Sequence, residues 1–326
     1  MKPITRFYSY VAIMLAMVTL CPLQTLAQVP ARFYWKTLSG ANAVPVVVQS
    51  LSGNVNPFDP ALIVTPGASF DATIALAGYG RIFSLHDRAA MIAVLEPMGR
   101  ISGDVTVAGK TAKQSADGFG DPMVEFDINV IGPKAQKTIP DALRYKPGFS
   151  VDLLGDLAFP IGQYNSSQSL NLGQHRWYGR IGAPIVWQLG PWVPGKRTTI
   201  ELLPAVWLFG TNDNFVGQTL SSDPLFQLDG HFTRDLTNRF WASFDTSWYA
   251  GGKATINGVS GDKRNNVALG LTAGYQINDN LGITIGYKST INDSAPDALR
   301  LNQFMVSVVF GWHKIIEGQK RLKHDD

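Results

Sequence analysis

The stretch Arg264 to Lys288, RNNVALGLTAGYQINDNLGITIGYK, constrains the fold of this chain more than any other. Val267, Leu269, Leu271, Ala273, Tyr275 and Ile277 alternate with Asn266, Ala268, Gly270, Thr272, Gly274 and Gln276. After Asn278-Asp279-Asn280, a turn by its chemistry, Leu281, Ile283, Ile285 and Tyr287 alternate with Gly282, Thr284, Gly286 and Lys288. A period of two places successive side chains on opposite faces, so this is a hairpin with one apolar face and one small or polar face. Sandwich strands alternate too. Runs of about ten residues, small and polar on one side and aromatic near the ends, are the pattern of a transmembrane barrel.

Composition agrees. Charged residues make up 16% of the 326, against about 25% in ordinary soluble domains, and glycine reaches 32 residues. Apart from the N-terminus, no apolar run approaches the ~18 residues of a helical membrane span. Lys2 and Arg6 precede an apolar core, Tyr10 to Leu20, and Thr25-Leu26-Ala27 forms a small-x-small site with cleavage expected before Gln28. Cys21 follows Leu20, where a lipoprotein needs a small residue, so it is expected to leave with the signal. The mature chain then lacks cysteine, and its formal charge falls from +3 to +1 without Lys2 and Arg6. Nothing in that balance points to nucleic acid.

The remaining strands can be read in order. Ala43 to Gln49 is a first strand, confined to an edge or bulge by Pro45. Leu51 to Ser69 is rich in Asn, Pro and Gly and reads as loop, part of which could fold inward as a plug. Phe33-Tyr34-Trp35 is an aromatic cluster without an evident role. Asp71 to Phe83 and Ala89 to Pro97 flank a short connection, and Ile101 to Gly120 reads as a long polar one. Further on, Val124, Phe126, Ile128 and Val130 oppose Glu125, Asp127 and Asn129. Two carboxylates and an amide on one face are costly in a dry core but suit the wall of a water-filled lumen.

Connection lengths supply an independent test. The gaps 51–69, 84–88, 101–121, 132–147, 160–174, 190–197, 210–223, 235–238, 250–263, 278–280 and 289–300 broadly alternate between long and short. Bacterial barrels have short periplasmic turns and longer outer loops, so both termini are periplasmic and twelve strands are expected.

Five segments also resemble a known family: LSGANAVPV (38–46), NPFDP (56–60), GRIFSLHDRAA (80–90), GFGDP (118–122) and NLGQHRW (171–177). Together they are similar to the outer-membrane "MetA-pathway of phenol degradation" family. That family is in turn similar to the long-chain fatty acid and aromatic hydrocarbon channels, monomeric barrels that pass hydrophobic molecules.

The expected fold is therefore all-β, an antiparallel transmembrane barrel of about twelve strands. The expected divisions are a signal peptide at 1–27, an N-terminal segment at 28–70, the barrel at 71–313 and a periplasmic tail at 314–326. Expected partners are the lipid bilayer and lipopolysaccharide, the barrel assembly machinery and a small hydrophobic passenger. Phe310 or Trp312 would serve as an internal assembly signal. The resemblance implies a monomer, and no cofactor is called for.

Candidate lumen and selectivity residues are Glu125, Asp127, Asn129, Asp152, Asp156, Arg180, Glu201, Asp229, His231, Arg239, Asp245 and Lys288. They would either brace the wall as cross-strand pairs or form a polar constriction. The histidines show no metal-ligand spacing. Asp229 and His231, with Ser243 or Ser247 on the next strand, raise a different reading, an outer-membrane lipid hydrolase. A non-transporting β-rich envelope protein is a third.

Overall fold

The computed structural model describes residues 30–314 and 316, apart from 66, 108–109 and 293–297. The signal segment and residues 317–326 of the expected tail lie outside the described residues.

The strands in chain order begin with β1 (Asn42–Gly53), β2 (Ser69–Leu85), β3 (Arg88–Val107), β4 (Lys110–Phe119), β5 (Met123–Ile131) and β6 (Phe149–Ala158). They continue with β7 (Tyr178–Gly182), β8 (Ile185–Gln188), β9 (Thr198–Phe209), β10 (Asn212–Phe215), β11 (Gln218–Ser222) and β12 (Leu225–Asp235). The last are β13 (Phe240–Gly251), β14 (Ala254–Ile256), β15 (Val259–Ser260), β16 (Arg264–Gln276), β17 (Leu281–Thr290) and β18 (Leu301–Trp312). The wall runs β12-β13-β16-β17-β18-β1-β2-β3-β5-β6-β7-β9 and closes through β9 on β12, every neighbour antiparallel. β7 and β8 form one wall strand interrupted at Ala183-Pro184. The interruption keeps register: the Asp152 N–H donates to Pro184 O at 2.8 Å, and the Ala183 N–H to Pro204 O at 3.0 Å. Twelve strands therefore close the barrel.

β1 is part of that wall, paired with β18 on one side and β2 on the other. Pro45 was expected on an edge or at a bulge, and a closed barrel has no edge. Instead Pro45 pairs with Val309, and the β1–β2 ladder skips Val44 and Pro45, where proline has no N–H to offer. Connections at the periplasmic end are tight. His86 and Asp87 form a two-residue hairpin with φ of 47° and 64°, the left-handed pair that matches strand twist. Asn278 Oδ1 accepts from the Asn280 and Leu281 N–H groups, both at 2.9 Å, closing the turn foreseen there.

Two regions differ from the expected loops. Ile101 to Gly120 is not a loop: β3 runs on past the membrane and folds back as β4, from Met98↔Phe119 to Val107↔Lys110. Its faces carry no lipid signature because this hairpin stands in water. β10, β11, β14 and β15 form a second, four-stranded sheet from the two outer loops expected at 210–223 and 250–263. The 132–147 connection contains the short helix α1 (Ile139–Arg144), capped by Thr138 and Asp141 in a capping box. No helix among the described residues is long and apolar enough to cross a membrane.

Outward positions form an apolar belt: Val44, Val46, Val48, Ile92, Val94, Leu153, Ile181, Phe232, Phe244 and Leu271 are all exposed. Most of their inward neighbours are polar or small and buried, the reverse of a soluble protein, although Val47, Leu95 and Leu154 are buried apolar exceptions. Leu271→Arg, at a 66%-exposed mid-strand position, should therefore cost about 2–4 kcal/mol of stability in a lipid bilayer. Urea titration of barrels refolded into vesicles measures it, and an unchanged midpoint would remove Leu271 from the lipid face.

Candidate functional site

Register determines which lumen side chains meet. Glu125 lies opposite Asp156, and Asn129 opposite Asp152, across β5–β6; Asp156 lies opposite Arg180 across β6–β7. Arg180 Nε donates to Asp156 Oδ2 at 2.6 Å, with its Nη2 3.7 Å from Glu125 Oε2. Asn129 Nδ2 donates to Asp152 Oδ1 at 2.7 Å.

A second cluster spans β9, β12, β13 and β17. His231 lies opposite Glu201 on one side and Asp245 on the other, and its Nδ1 is 2.7 Å from Asp245 Oδ1. Lys288 Nζ is 3.7 Å from Asp229 Oδ1 and donates to Ser247, which in turn donates to Asp229. Ser243 Oγ donates to Asp245 Oδ1 at 2.5 Å.

Eleven of the expected lumen residues thus stand buried on the inner wall: Glu125, Asp127, Asn129, Asp152, Asp156, Arg180, Glu201, Asp229, His231, Asp245 and Lys288. Arg239 does not. β13 starts at Phe240, so Arg239 belongs to the exposed periplasmic turn, its Nη1 3.5 Å from Ile277 O. The alternating pattern runs one residue further than the strand itself.

The lumen also differs from the water-filled one expected, because residues 30–36 enter it from the periplasmic side. Glu125 and Asp127 are only 2% and 0% exposed. A void lined by Pro30, Ala31, His231, Asp245 and Lys288 measures about 10 Å³, room for roughly one water. The Phe33-Tyr34-Trp35 cluster thereby finds its place. Tyr34 packs against Leu154, Val186, Leu203 and Ala205, an apolar strip on the otherwise polar inner wall, with Phe33 and Trp35 beside it.

The inserted segment is held by charge and hydrogen bonds. Lys36 Nζ sits between Asp127 Oδ1, at 2.5 Å, and Asp152. Burial works against this ammonium, but Asp127 and Asp152 outweigh it and keep its pKa above the ordinary lysine value. The Arg32 N–H and Trp35 Nε1 donate to the two oxygens of Glu201 at 2.7 and 2.9 Å. Arg32 Nη1 reaches Asp235 at 2.7 Å, and Arg197 Nε binds the other oxygen of that carboxylate, also at 2.7 Å. The Arg32 guanidinium also lies 4.2 Å from the Trp35 ring centroid and 4.4 Å from that of Trp241. Trp241 can lie there because Gly274 opposite it has no side chain; a Cβ would come within 2.1 Å of the indole.

These partners were missed from sequence, yet a signal existed. The seven inward carboxylates foreseen outnumber the inward Arg180 and Lys288 once Arg239 is removed, an imbalance that calls for cations from elsewhere in the chain. Arg32 and Lys36 flank the aromatic cluster and fill that role.

The outer end is closed as well, by segments from three of the motifs. Asp59 accepts both 2.9 Å bonds from Arg176 Nη2, and Arg176 Nη1 donates to Ser222 at 2.9 Å. Asn56 Nδ2 donates to Asn171 O at 2.7 Å, and Asp121 accepts from the Gly162 and Gln174 N–H groups at 2.9 and 2.8 Å. Phe58 packs with Ile101, Leu170 and Leu172 beneath.

The same architecture occurs in a solved barrel. An outer membrane channel from Pseudomonas putida F1 superposes with a TM-score of 0.70 at 16% identity, over 87% of this chain and all of that one. The beta domain of the Bordetella autotransporter BrkA gives 0.48 at 11% identity, over 83% of this chain and all of that domain. No curated protein matches the sequence. The first likeness shows the fold, a β-barrel of the outer-membrane type. The family model described as "Putative MetA-pathway of phenol degradation" matches residues 39–308, which takes in eleven wall strands and most of the twelfth, and the chain belongs to that family.

Proposed function

We propose that this barrel is a passive channel for small apolar or aromatic molecules, closed at rest by its own N-terminal segment. The observation that carries the reading is the apolar strip Leu154, Val186, Leu203 and Ala205, set in a polar lumen and covered by Tyr34. A wall that only had to be braced would need no such strip. In this reading, an aromatic passenger replaces the aromatic side chains of the segment when the segment withdraws. The family's association with phenol degradation supports it, and so does the likeness to a Pseudomonas barrel that is itself a channel. The lumen residues Glu125, Asp127, Asn129, Asp152, Asp156, Arg180, Glu201, Asp229, His231, Asp245 and Lys288 would then act as the constriction around that strip. The working unit in this proposal is a monomer, inserted by the barrel assembly machinery beneath lipopolysaccharide.

The hydrolase reading fares worse. A nucleophilic serine must give its proton to the histidine, whereas Ser243 donates to Asp245 and Ser247 to Asp229. We therefore assign no catalytic role.

Cells that lack other aromatic channels provide the test. Those expressing the chain should accumulate labelled toluene several-fold faster than empty cells at micromolar supply. Equal rates, even with the N-terminal segment loosened as described below, would end the channel reading, and ester hydrolysis by the purified barrel would restore the enzyme.

A further inference from the structure

We propose that the carboxylates around Lys36 form a subsite for the primary ammonium of an amphiphilic amine passenger, a subsite that Lys36 itself fills while the barrel is closed. The inference rests on the channel reading and adds a substrate class to it.

The balance of buried charge is the first observation. Glu125, Asp127, Asp152 and Asp156 are all buried, and the cations among them are Arg180 and Lys36. Arg180 belongs to the wall and remains when the segment leaves. Withdrawal of Lys36 would leave four carboxylates against one guanidinium, with Asp127 and Asp152 stripped of their partner. Carboxylates left there without a counter-charge favour a cation over a neutral molecule, so a passenger ammonium takes the place of the departing Lys36 better than water alone does.

Unpartnered oxygens supply a second, independent observation. On the wall, Glu125 Oε1, Asp127 Oδ2 and Asp156 Oδ1 are buried without a hydrogen-bond partner. Acceptor capacity therefore exceeds what Lys36 and Arg180 use, and an ammonium brings three donors on one nitrogen. A metal ion fits less well, since no group of three or more acidic, His or Cys side chains among the described residues has the arrangement to hold one.

The surroundings identify the rest of the ligand. The chain that carries the Lys36 ammonium in also lays Tyr34 on Leu154, Val186, Leu203 and Ala205. The segment thus presents a primary ammonium and an aromatic body to one stretch of wall. A passenger of the same build, an arylalkylamine, would satisfy both at once.

2-Phenylethylamine and its neutral isostere 2-phenylethanol separate the possibilities, with binding to the full mature barrel in detergent read by calorimetry at pH 7. In Lys36→Met the amine should bind at least about tenfold more tightly than in wild type, the worth of one charge-assisted hydrogen bond, while the alcohol gains little. Adding Asp127→Asn to that variant should abolish the gain. Lys36→Arg, which keeps the charge, should bind the amine no better than wild type. Each variant is checked for a heat-modifiable band, and Asp152→Asn replaces Asp127→Asn if the latter does not fold. Equal gains for amine and alcohol would overturn the ammonium subsite and leave the channel standing. Binding of neither compound by any variant would overturn both.

Discussion

Arg32→Ala combined with Lys36→Ala should raise single-channel conductance in planar bilayers by at least tenfold over the wild-type barrel. The wild type should conduct poorly, since residues 30–36 occupy the lumen and two voids beside them have room for about one water each. Arg32 joins the segment to Asp235 and stacks on Trp35 and Trp241; Lys36 joins it to Asp127 and Asp152. Removing one partner of a buried pair costs about 3–5 kcal/mol, because the other charge stays buried. That cost falls on the closed state alone. Once the segment withdraws, water reaches Asp127, Asp152 and Asp235, and most of the penalty is relieved. A shift of about 5.5 kcal/mol carries a two-state equilibrium from 1:99 to 99:1, so the double variant has enough leverage to invert the closed population. Conductance as low as the wild type's would mean that the segment is a fixed part of the wall, held by the packing of Tyr34 rather than by charge.

The second large effect is expected at the outer cap. Arg176 is fully buried in its side chain, and both its 2.9 Å bonds to carboxylate oxygens go to Asp59. Asp59→Ala leaves that guanidinium stranded and should cost about 3–5 kcal/mol of cap stability. Two measurements follow it: the temperature at which the heat-modifiable band unfolds should drop, and external protease should cut near 54–65. Replacing the pair with apolar residues, Asp59→Leu with Arg176→Met, should recover most of the loss, because the uncompensated charge is then gone. Protease resistance equal to wild type in Asp59→Ala would show that Phe58 packing against Leu170 and Leu172 closes the cap without the ion pair.

Legibility in the sequence followed the solvent. Where a strand separates lipid from lumen, its two faces meet environments of opposite polarity, and the residue types record it; β16 and β5 were read correctly face by face. Where the same strand leaves the membrane, both faces meet water and the record disappears. That is why the β3–β4 hairpin read as a loop, although its ladder runs unbroken from Met98 to Val107. Strand ends suffer likewise, as Arg239 shows: its parity matches the inner face, but the backbone has already turned.

Alternation and gap length by themselves determined the class of fold, the number of wall strands and, Arg239 apart, which of the candidate side chains face the bore. These are local properties, recorded two residues at a time. The partners of the lumen charges were decided only by the tertiary structure. Pairing across a barrel depends on register, and a slip of one residue moves every side chain to the other face. The contents of the bore were decided there too. Lys36 and Asp127 lie 91 residues apart, and no local pattern links them. They meet because closing the wall gathers more buried negative charge than the strands can neutralise, and residues 30–36 bring the cations and the aromatic rings that fill the space.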